Sequence, residues 1–238
     1  MNSNQLSERL ETVASFIHPA VTFADIGSDH AYLPCYAVKK GIVTRAIAGE
    51  VVEGPFQSAK RQVASEGLSG HIDVRKGSGL EVLEPGEVEC ITIAGMGGPL
   101  ISSILADGVE KLPGVKKLVL QPNIAAHSVR SWLDENGWAI EDEAILEEDG
   151  QLYEVISAVY GSNRKLTEKE IYFGPILIKR QNHAFRLKWQ REFEQINYVL
   201  RQLSDARDSE GTARKKKELM QKQQWIKDVI NSENTERS

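Results

Sequence analysis

Cysteine, clustered histidine and long apolar runs are what this sequence has least of, and each shortage closes off a class of function. Cys35 and Cys90 are the only cysteines in 238 residues. They lie far apart in apolar surroundings, so no disulfide framework is expected, and two buried thiols in a reducing cytoplasm are. Neither belongs to a C-x-x-C, and the five histidines are scattered, so a metal site is not expected. No apolar stretch approaches the roughly 18 residues of a membrane span, and Met1 to Ser7 is polar, without a signal-peptide pattern. A G-x-G-x-x-G is missing too, which disfavours a nicotinamide-dependent oxidoreductase.

What is present is ordinary in bulk and uneven in detail. A hydrophobic fraction of 41 % and a charged fraction of 26 % are those of a globular protein. The length suits one large α/β domain, or a smaller one with an appendage. The net charge of −5 hides a split: residues 1–160 carry 12 basic and 23 acidic side chains, residues 161–238 carry 17 and 11. A basic C-terminal third on an acidic body suits a polyanionic partner; a solvated pair of charged helices is the reading that charge alone favours.

Leu6, Leu10, Val13 and Ile17 form one face of an amphipathic helix that Pro19 ends, with Arg9 outside the stripe as a surface residue, an anion-facing role being the less favoured alternative. From Val21 to Tyr160 short apolar strands alternate with helical patterns. Strands are expected at 21–26, 45–50, 71–76, 88–94, 116–121, 138–147 and 153–160, and helices near 31–40, 55–66, 98–109 and 125–136. Such alternation predicts a doubly wound, mostly parallel sheet. The turn Glu148-Asp149-Gly150-Gln151 joins the last two strands as an antiparallel hairpin. After Gly161-Ser162-Asn163 strand patterns vanish. Phe185, Trp189, Glu192, Ile196, Val199 and Leu203 recur at heptad spacing, Asp208 to Gly211 reads as a turn, and Leu219, Ile226 and Val229 mark a second helix. Two helices with a short connection should form an antiparallel hairpin, with Asn231 to Ser238 frayed. The expected domains are therefore 1–160 and 161–238.

The stretch Asp25-Ile26-Gly27-Ser28-Asp29-His30-Ala31 ends an apolar strand and precedes a helix. Glycine lets a ligand approach the backbone there, and the N–H groups of Ser28 to Ala31 can meet an anion; Asp25 can equally cap the helix. Glu50 ends the second strand, where a carboxylate can accept both hydroxyls of a ribose. Gly77-Ser78-Gly79 follows the third strand as a ligand loop or a plain turn. Ala94-Gly95-Met96-Gly97-Gly98 follows the fourth. Three glycines in four residues are conformationally costly unless the backbone must approach something closely. Gln121 and Asn123, flanking Pro122, end the fifth strand, where their amides can meet a base edge. His30, Tyr32 and His127 fall near the same rim. In the tail Lys179, Arg180, Arg186, Lys188, Arg191 and Arg214 to Lys217 suit phosphate contacts or solubility alone.

The pattern D-x-G-x-D-x-A at Asp25 resembles the first motif of class I methyltransferases, with only its first glycine kept. Together with Ile93-Ala94-Gly95-Met96-Gly97-Gly98, Leu120-Gln121-Pro122-Asn123 and Trp132-Leu133-x-x-x-Gly137-Trp138, the chain resembles the bacterial tRNA (adenine-22-N1)-methyltransferase family from about Leu6 to the C-terminal helices. The resemblance implies a Rossmann-like seven-stranded class I sheet with S-adenosyl-L-methionine as cofactor, and a C-terminal coiled-coil domain that contacts tRNA. It implies cofactor contacts from Asp25, Gly27, Ser28, His30, Glu50, Val51, Gly77, Ser78, Gly79, Ala94, Gly95, Met96 and Gly97. Asp29, Gln121 and Asn123 are the candidates for orienting the target adenine. Ser78 stands where the family has Asp, and Glu50 where Asp is usual. A cytoplasmic monomer that methylates N1 of adenine 22 is the expectation; a non-catalytic RNA-binding scaffold on the same fold is the alternative.

Overall fold

A computed structural model describes residues 5–18, 20–161, 164–204 and 210–231. Pro19, Ser162, Asn163, the Asp208-Ser209 part of the expected turn and the tail beyond Asn231 lie outside them. The chain divides into two compact units, up to Pro175 and from Ile176 onward.

The first unit begins with α1 (Glu8–Phe16), whose N-cap Ser7 accepts a hydrogen bond from the Leu10 N–H. Then follow β1 (Ala20–Ile26), α2 (Tyr32–Lys39), β2 (Val43–Glu50), α3 (Glu53–Ser65), β3 (Ile72–Lys76), β4 (Cys90–Gly97), α4 (Gly98–Asp107), β5 (Lys117–Ile124), α5 (Ala126–Glu135), β6 (Trp138–Glu148), β7 (Gln151–Tyr160) and α6 (Glu168–Phe173). All seven strands join one sheet in the order β3-β2-β1-β4-β5-β7-β6. The first five are mutually parallel, and β7 runs antiparallel between β5 and β6. Asp149 and Gly150 turn β6 into β7 with φ of +51° and +76°, the two left-handed residues that a tight hairpin requires.

Successive strand residues point to opposite faces, and the sequence fills both with apolar side chains, as a parallel sheet covered on two sides demands. Phe23, Cys90, Val119 and Val155 pack with Val13 of α1 and the adjoining Ile17, Leu33 of α2 and Val63 of α3. Ile26, Ile91, Ile93, Leu118 and Leu120 pack on the other face with Ile101 and Leu105 of α4 and Val129 and Leu133 of α5. Strand order reverses between β1 and β4, which opens a crevice at the carboxyl ends of those strands.

The unit boundary falls after Pro175 rather than at 160/161, because α6 packs on α5 and is pinned by a buried charge cluster. Arg130 of α5 is wholly buried; its Nε donates to Glu143 at 2.7 Å, Nη2 to Glu154, and Nη1 to the Ile171 carbonyl at 3.4 Å. Gly174, at φ +93°, passes so close that a Cβ would lie 2.7 Å from the Glu143 carboxylate. In the second unit α7 (Leu177–Arg180) precedes α8 (His183–Ser204) and α9 (Glu210–Asn231). Gln223 donates to Asn197 at 2.5 Å, and Lys227 lies over the Phe193 ring. These pairs run in opposite senses, so the two helices are antiparallel. Trp189, Ile196, Leu219 and Ile226 are buried at the expected seam positions.

Arg130→Met should cost about 3–5 kcal/mol, since it leaves two carboxylates buried without their cation. A fall in the urea unfolding midpoint of that size would be the readout; a loss under 1 kcal/mol would mean that the cluster carries no such dependence.

Candidate functional site

The first element of the site is the turn that leaves β1. Gly27 has φ +73°, a left-handed backbone that favours glycine, and a Cβ on it would fall 2.1 Å from the Met96 methyl, which would have to move aside. The N–H groups of Gly27 and Ser28 both donate to the Gly49 carbonyl, at 2.9 and 3.2 Å, and fasten the turn to β2. The positions where the class I pattern carries its second and third glycines are Asp29 and Ala31, with φ of +50° and +54°. The backbone thus keeps the left-handed shape without the glycines, at a cost on the order of 1 kcal/mol per residue.

Asp25 does not cap α2, whose N-cap is Ala31. Its carboxylate instead accepts hydrogen bonds from the hydroxyls of Ser28 and Thr92, each at 2.6 Å. Thr92 is its direct neighbour on β4, so one side chain ties the turn to the strand across the crevice. Burial pushes the Asp25 carboxyl up to about 6; the two hydroxyls oppose that rise, and the nearby Glu50 charge adds to it. Glu50 is buried at the end of β2, accepts from the Asp29 N–H, and is also raised by its burial.

The second element is the β4–β5 pair. The sequence reads Ala94 to Gly98 as a loop, but β4 continues to Gly97 beside β5 with register shifts between Ala94 and Gly97, the mark of a bulged strand. Gly95 has φ +79°. Gln121, completely buried, accepts from the Gly95 N–H at 2.9 Å and from Arg9 Nη1 at 2.5 Å on one amide oxygen. Its Nε2 donates to Asn123 at 3.2 Å, and Asn123 Nδ2 donates to the Gly95 carbonyl at 2.8 Å. Gln121 and Asn123 therefore brace the Gly95 segment from beneath.

Between these elements lies a cavity of about 240 Å³ lined by Arg9, Leu10, Asp25, Gly27, Ser28, Asp29, Tyr32, Leu33, Ala94 and Gly95. Six of the expected site residues meet there. Glu50 stands next to it through Asp29. His30 stacks on Tyr32 at 5.2 Å and so sits outside the lining. Met96 supports Gly27 from below, Gly97 adjoins Ile124, and Val51 is exposed. Gly77-Ser78-Gly79 is not among the lining residues and adjoins the site through Glu50. The Gly77 N–H donates to the Glu50 carbonyl at 2.9 Å, and Gly77 and Gly79 pack tightly on Val82 and Ile104. His127 is exposed on α5. Arg9, which the apolar stripe of α1 leaves as a surface residue with an anion-facing role as the weaker alternative, lines the cavity. The available signal was its position beside Leu10, on the flank of a helix that had to cover the sheet.

Asp25 gives a signed pH dependence. Its folded-state pKa lies above the ordinary 3.8, so the folded chain holds the proton longer. Stability is lost as pH rises through about 4 to 6, by roughly 3 kcal/mol once both states are ionised. Asp25→Asn should remove that loss: its stability relative to wild type should climb by about this amount between pH 4 and pH 7 in urea titrations. A constant difference across the range would mean that the carboxyl does not titrate as described.

The geometry, a carboxylate-bearing cavity at the strand-order reversal of a seven-stranded sheet with a terminal hairpin, can be set beside known proteins. The family model TrmK, described as tRNA (adenine(22)-N(1))-methyltransferase, matches residues 23–233. A tRNA (adenine(22)-N(1))-methyltransferase of Bacillus subtilis (strain 168) is 48 % identical over 235 residues, 97 % of this chain and 99 % of that one. The crystal structure of the B. subtilis m1A22 tRNA methyltransferase TrmK aligns with a TM-score of 0.91 at 47 % identity, covering 95 % of this chain and 99 % of the other. A Streptococcus pneumoniae chain solved in complex with S-adenosyl-L-methionine gives 0.86 at 42 % identity, covering 95 % and 100 %. Fold, motifs and near-complete mutual coverage agree, and the chain belongs to the tRNA (adenine(22)-N(1))-methyltransferase family.

Proposed function

We propose that this protein transfers the methyl group of S-adenosyl-L-methionine to N1 of adenine 22 in tRNA, giving 1-methyladenosine. The observation that carries the reading is the cavity between β1 and β4, in a chain that belongs to this family. Its residues fit such a cofactor. Bare backbone at Gly27 and Gly95 admits close approach, Asp25 and Asp29 suit a cationic group, Ser28 offers a hydroxyl, and Arg9 suits an anion. Glu50 and the neighbouring Val51 suit a ribose and its base, with Gly77-Ser78-Gly79 as the adjoining loop.

When bound, the cofactor supplies an electrophilic methyl on a sulfonium. The chain's own task is then positional. N1 of adenine carries a free lone pair, so no residue need act as a strong base, and holding the reactants in line away from water supplies most of the rate. N1 lies on the Watson–Crick edge, so a paired or stacked adenine must be turned out to reach the site. Asp29 stands at the mouth with an exposed carboxylate, suited to the exocyclic amine of that base. Gln121 and Asn123 contribute by fixing Gly95 and thus the floor on which the base would rest.

The helical unit, with Lys215, Arg214 and Lys217 exposed on α9, supplies phosphate contacts to tRNA. The first unit is the cofactor-binding domain. We take the protein to act as a cytoplasmic monomer. Among the described residues no helix is long and apolar enough to cross a membrane.

Incubation with S-adenosyl-L-methionine and unmodified tRNA, followed by nucleoside mass spectrometry, should yield 1-methyladenosine that disappears when adenine 22 is changed. Binding of tRNA without methyl transfer would establish the scaffold reading instead. Asp29→Asn, which tolerates the left-handed backbone, should lower turnover roughly 10- to 100-fold with tRNA affinity in filter binding unchanged. Wild-type turnover would remove Asp29 from the reaction.

A further inference from the structure

We propose that Ile124 is a wedge: an apolar side chain that enters the base stack of the RNA where the target adenine leaves it, and so keeps that base in the pocket. The assignment rests on the methyl-transfer reading above and adds a positioning residue to it. Ile124 ends β5 one residue beyond Asn123 and is 69 % exposed, although Lys117 to Pro122 of the same strand are all buried.

A lone exposed aliphatic residue needs no explanation, but this one has company. Among the described residues the first unit exposes six large apolar side chains. Val51, Val52, Leu100 and Ile124 stand at or just beyond the carboxyl ends of β2, β4 and β5; only Val109 and Tyr160 lie elsewhere. The chain around Ile124 is also uncharged. No Lys, Arg, Asp or Glu occurs from Thr92 to Ala106 or from Leu118 to Val129, the two stretches that build this edge of the site. Such a rim offers a phosphate no cation, whereas an apolar side chain can insert between base faces.

The backbone that carries Ile124 is fixed on both sides. Before it, Asn123 Nδ2 donates to the Gly95 carbonyl at 2.8 Å. After it, Ala125 has φ +54°, and its carbonyl accepts from the Ser128 N–H at 3.0 Å. Gly98 at the start of α4 lies flush against this turn: a Cβ there would fall 2.2 Å from the Ala125 carbonyl oxygen, and backbone cannot swing aside as a side-chain end can. Strain of about 1 kcal/mol at Ala125 thus keeps Ile124 projecting from a rigid edge. It does not line the cavity but stands beside the floor that Gln121 and Asn123 brace. A base turned out onto that floor leaves its gap in the stack next to Ile124, and filling the gap delays the return of the base.

The test uses the full-length protein and two tRNA transcripts. In one, adenine 22 is base-paired; in the other its pairing partner is replaced by an abasic nucleotide, so the base already swings out freely. Ile124→Ala should lower single-turnover methylation of the first about 30-fold and of the second by no more than about threefold. Ile124→Leu, which keeps an apolar side chain of equal size, should stay within about threefold of wild type on both. With 2-aminopurine at position 22, which brightens when unstacked, saturating Ile124→Ala should give less than about half the wild-type increase. Equal losses on both transcripts, or wild-type rates throughout, would overturn the wedge and leave the methyl-transfer reading standing. A loss confined to tRNA affinity, with the saturated rate unchanged, would make Ile124 an ordinary contact and overturn the wedge as well. Wild type that methylates neither transcript would sink the methyl-transfer reading, and the wedge with it. If melting shows Ile124→Ala to be misfolded, Ile124→Thr, which keeps the β-branched shape without the apolar reach, decides: a wild-type ratio between the two transcripts would overturn the wedge.

Discussion

Two short hydroxyl hydrogen bonds to one buried carboxylate hold the working end of this sheet together. Asp25 accepts from Ser28 in its own turn and from Thr92 on the adjacent strand. Those strands diverge in connectivity there, β1 leading to α2 on one face and β4 to α4 on the other. A gap between them is unavoidable in this topology. The carboxylate spans the base of that gap and sets its width. The arrangement is costly, because burial resists the charge. Glu50 repeats the theme one strand over, taking the Asp29 N–H. The site therefore concentrates negative potential where fixed dipoles alone would leave a neutral hole.

Opposite these acids a neutral amide does the organising. Gln121 has no exposure to solvent, and its oxygen collects a backbone donor from β4 and a guanidinium donor from α1. Three elements distant in sequence meet at one atom. Asn123 closes the circuit onto Gly95. A charged residue in place of Gln121 would neutralise Arg9 or repel it; an amide orients the cation and leaves its charge available.

How much of this was legible follows from the range of the forces involved. The seven strands and their flanking helices could be read because each satisfies a local rule: apolar runs of strand length, helical spacing between them, and a two-residue Asp-Gly turn. The heptad stripe of α8 could be read for the same reason. The turn at Gly27 was legible because glycine spacing reports backbone shape directly. The place of Arg9 in the cavity was not, since it depends on Gln121 and on Tyr153, whose ring lies 5.3 Å from the guanidinium. Both are far along the chain, and the local pattern says only that Arg9 lies off the apolar stripe. The bulged continuation of β4 through Gly95 was missed for a related reason. Glycines read as breakers unless a neighbouring strand is known to supply pairing. Short α6 was hidden because its packing is decided by Arg130 and Gly174, a contact between a buried charge and an absent side chain.

The turn after β1 holds one further lesson, in the left-handed Asp29 and Ala31. A loop with three glycines wanders widely before folding and stays loose after it. Exchanging two of them for residues with side chains shrinks the unfolded ensemble, and it narrows the motions open to the folded turn. The native strain at these two positions, greatest for Ala31, opposes that gain. A cofactor arriving at such a turn has less disorder to remove, so a larger share of its contact energy survives as affinity. Rigidity that other sequences must acquire on binding is here written into the chain beforehand.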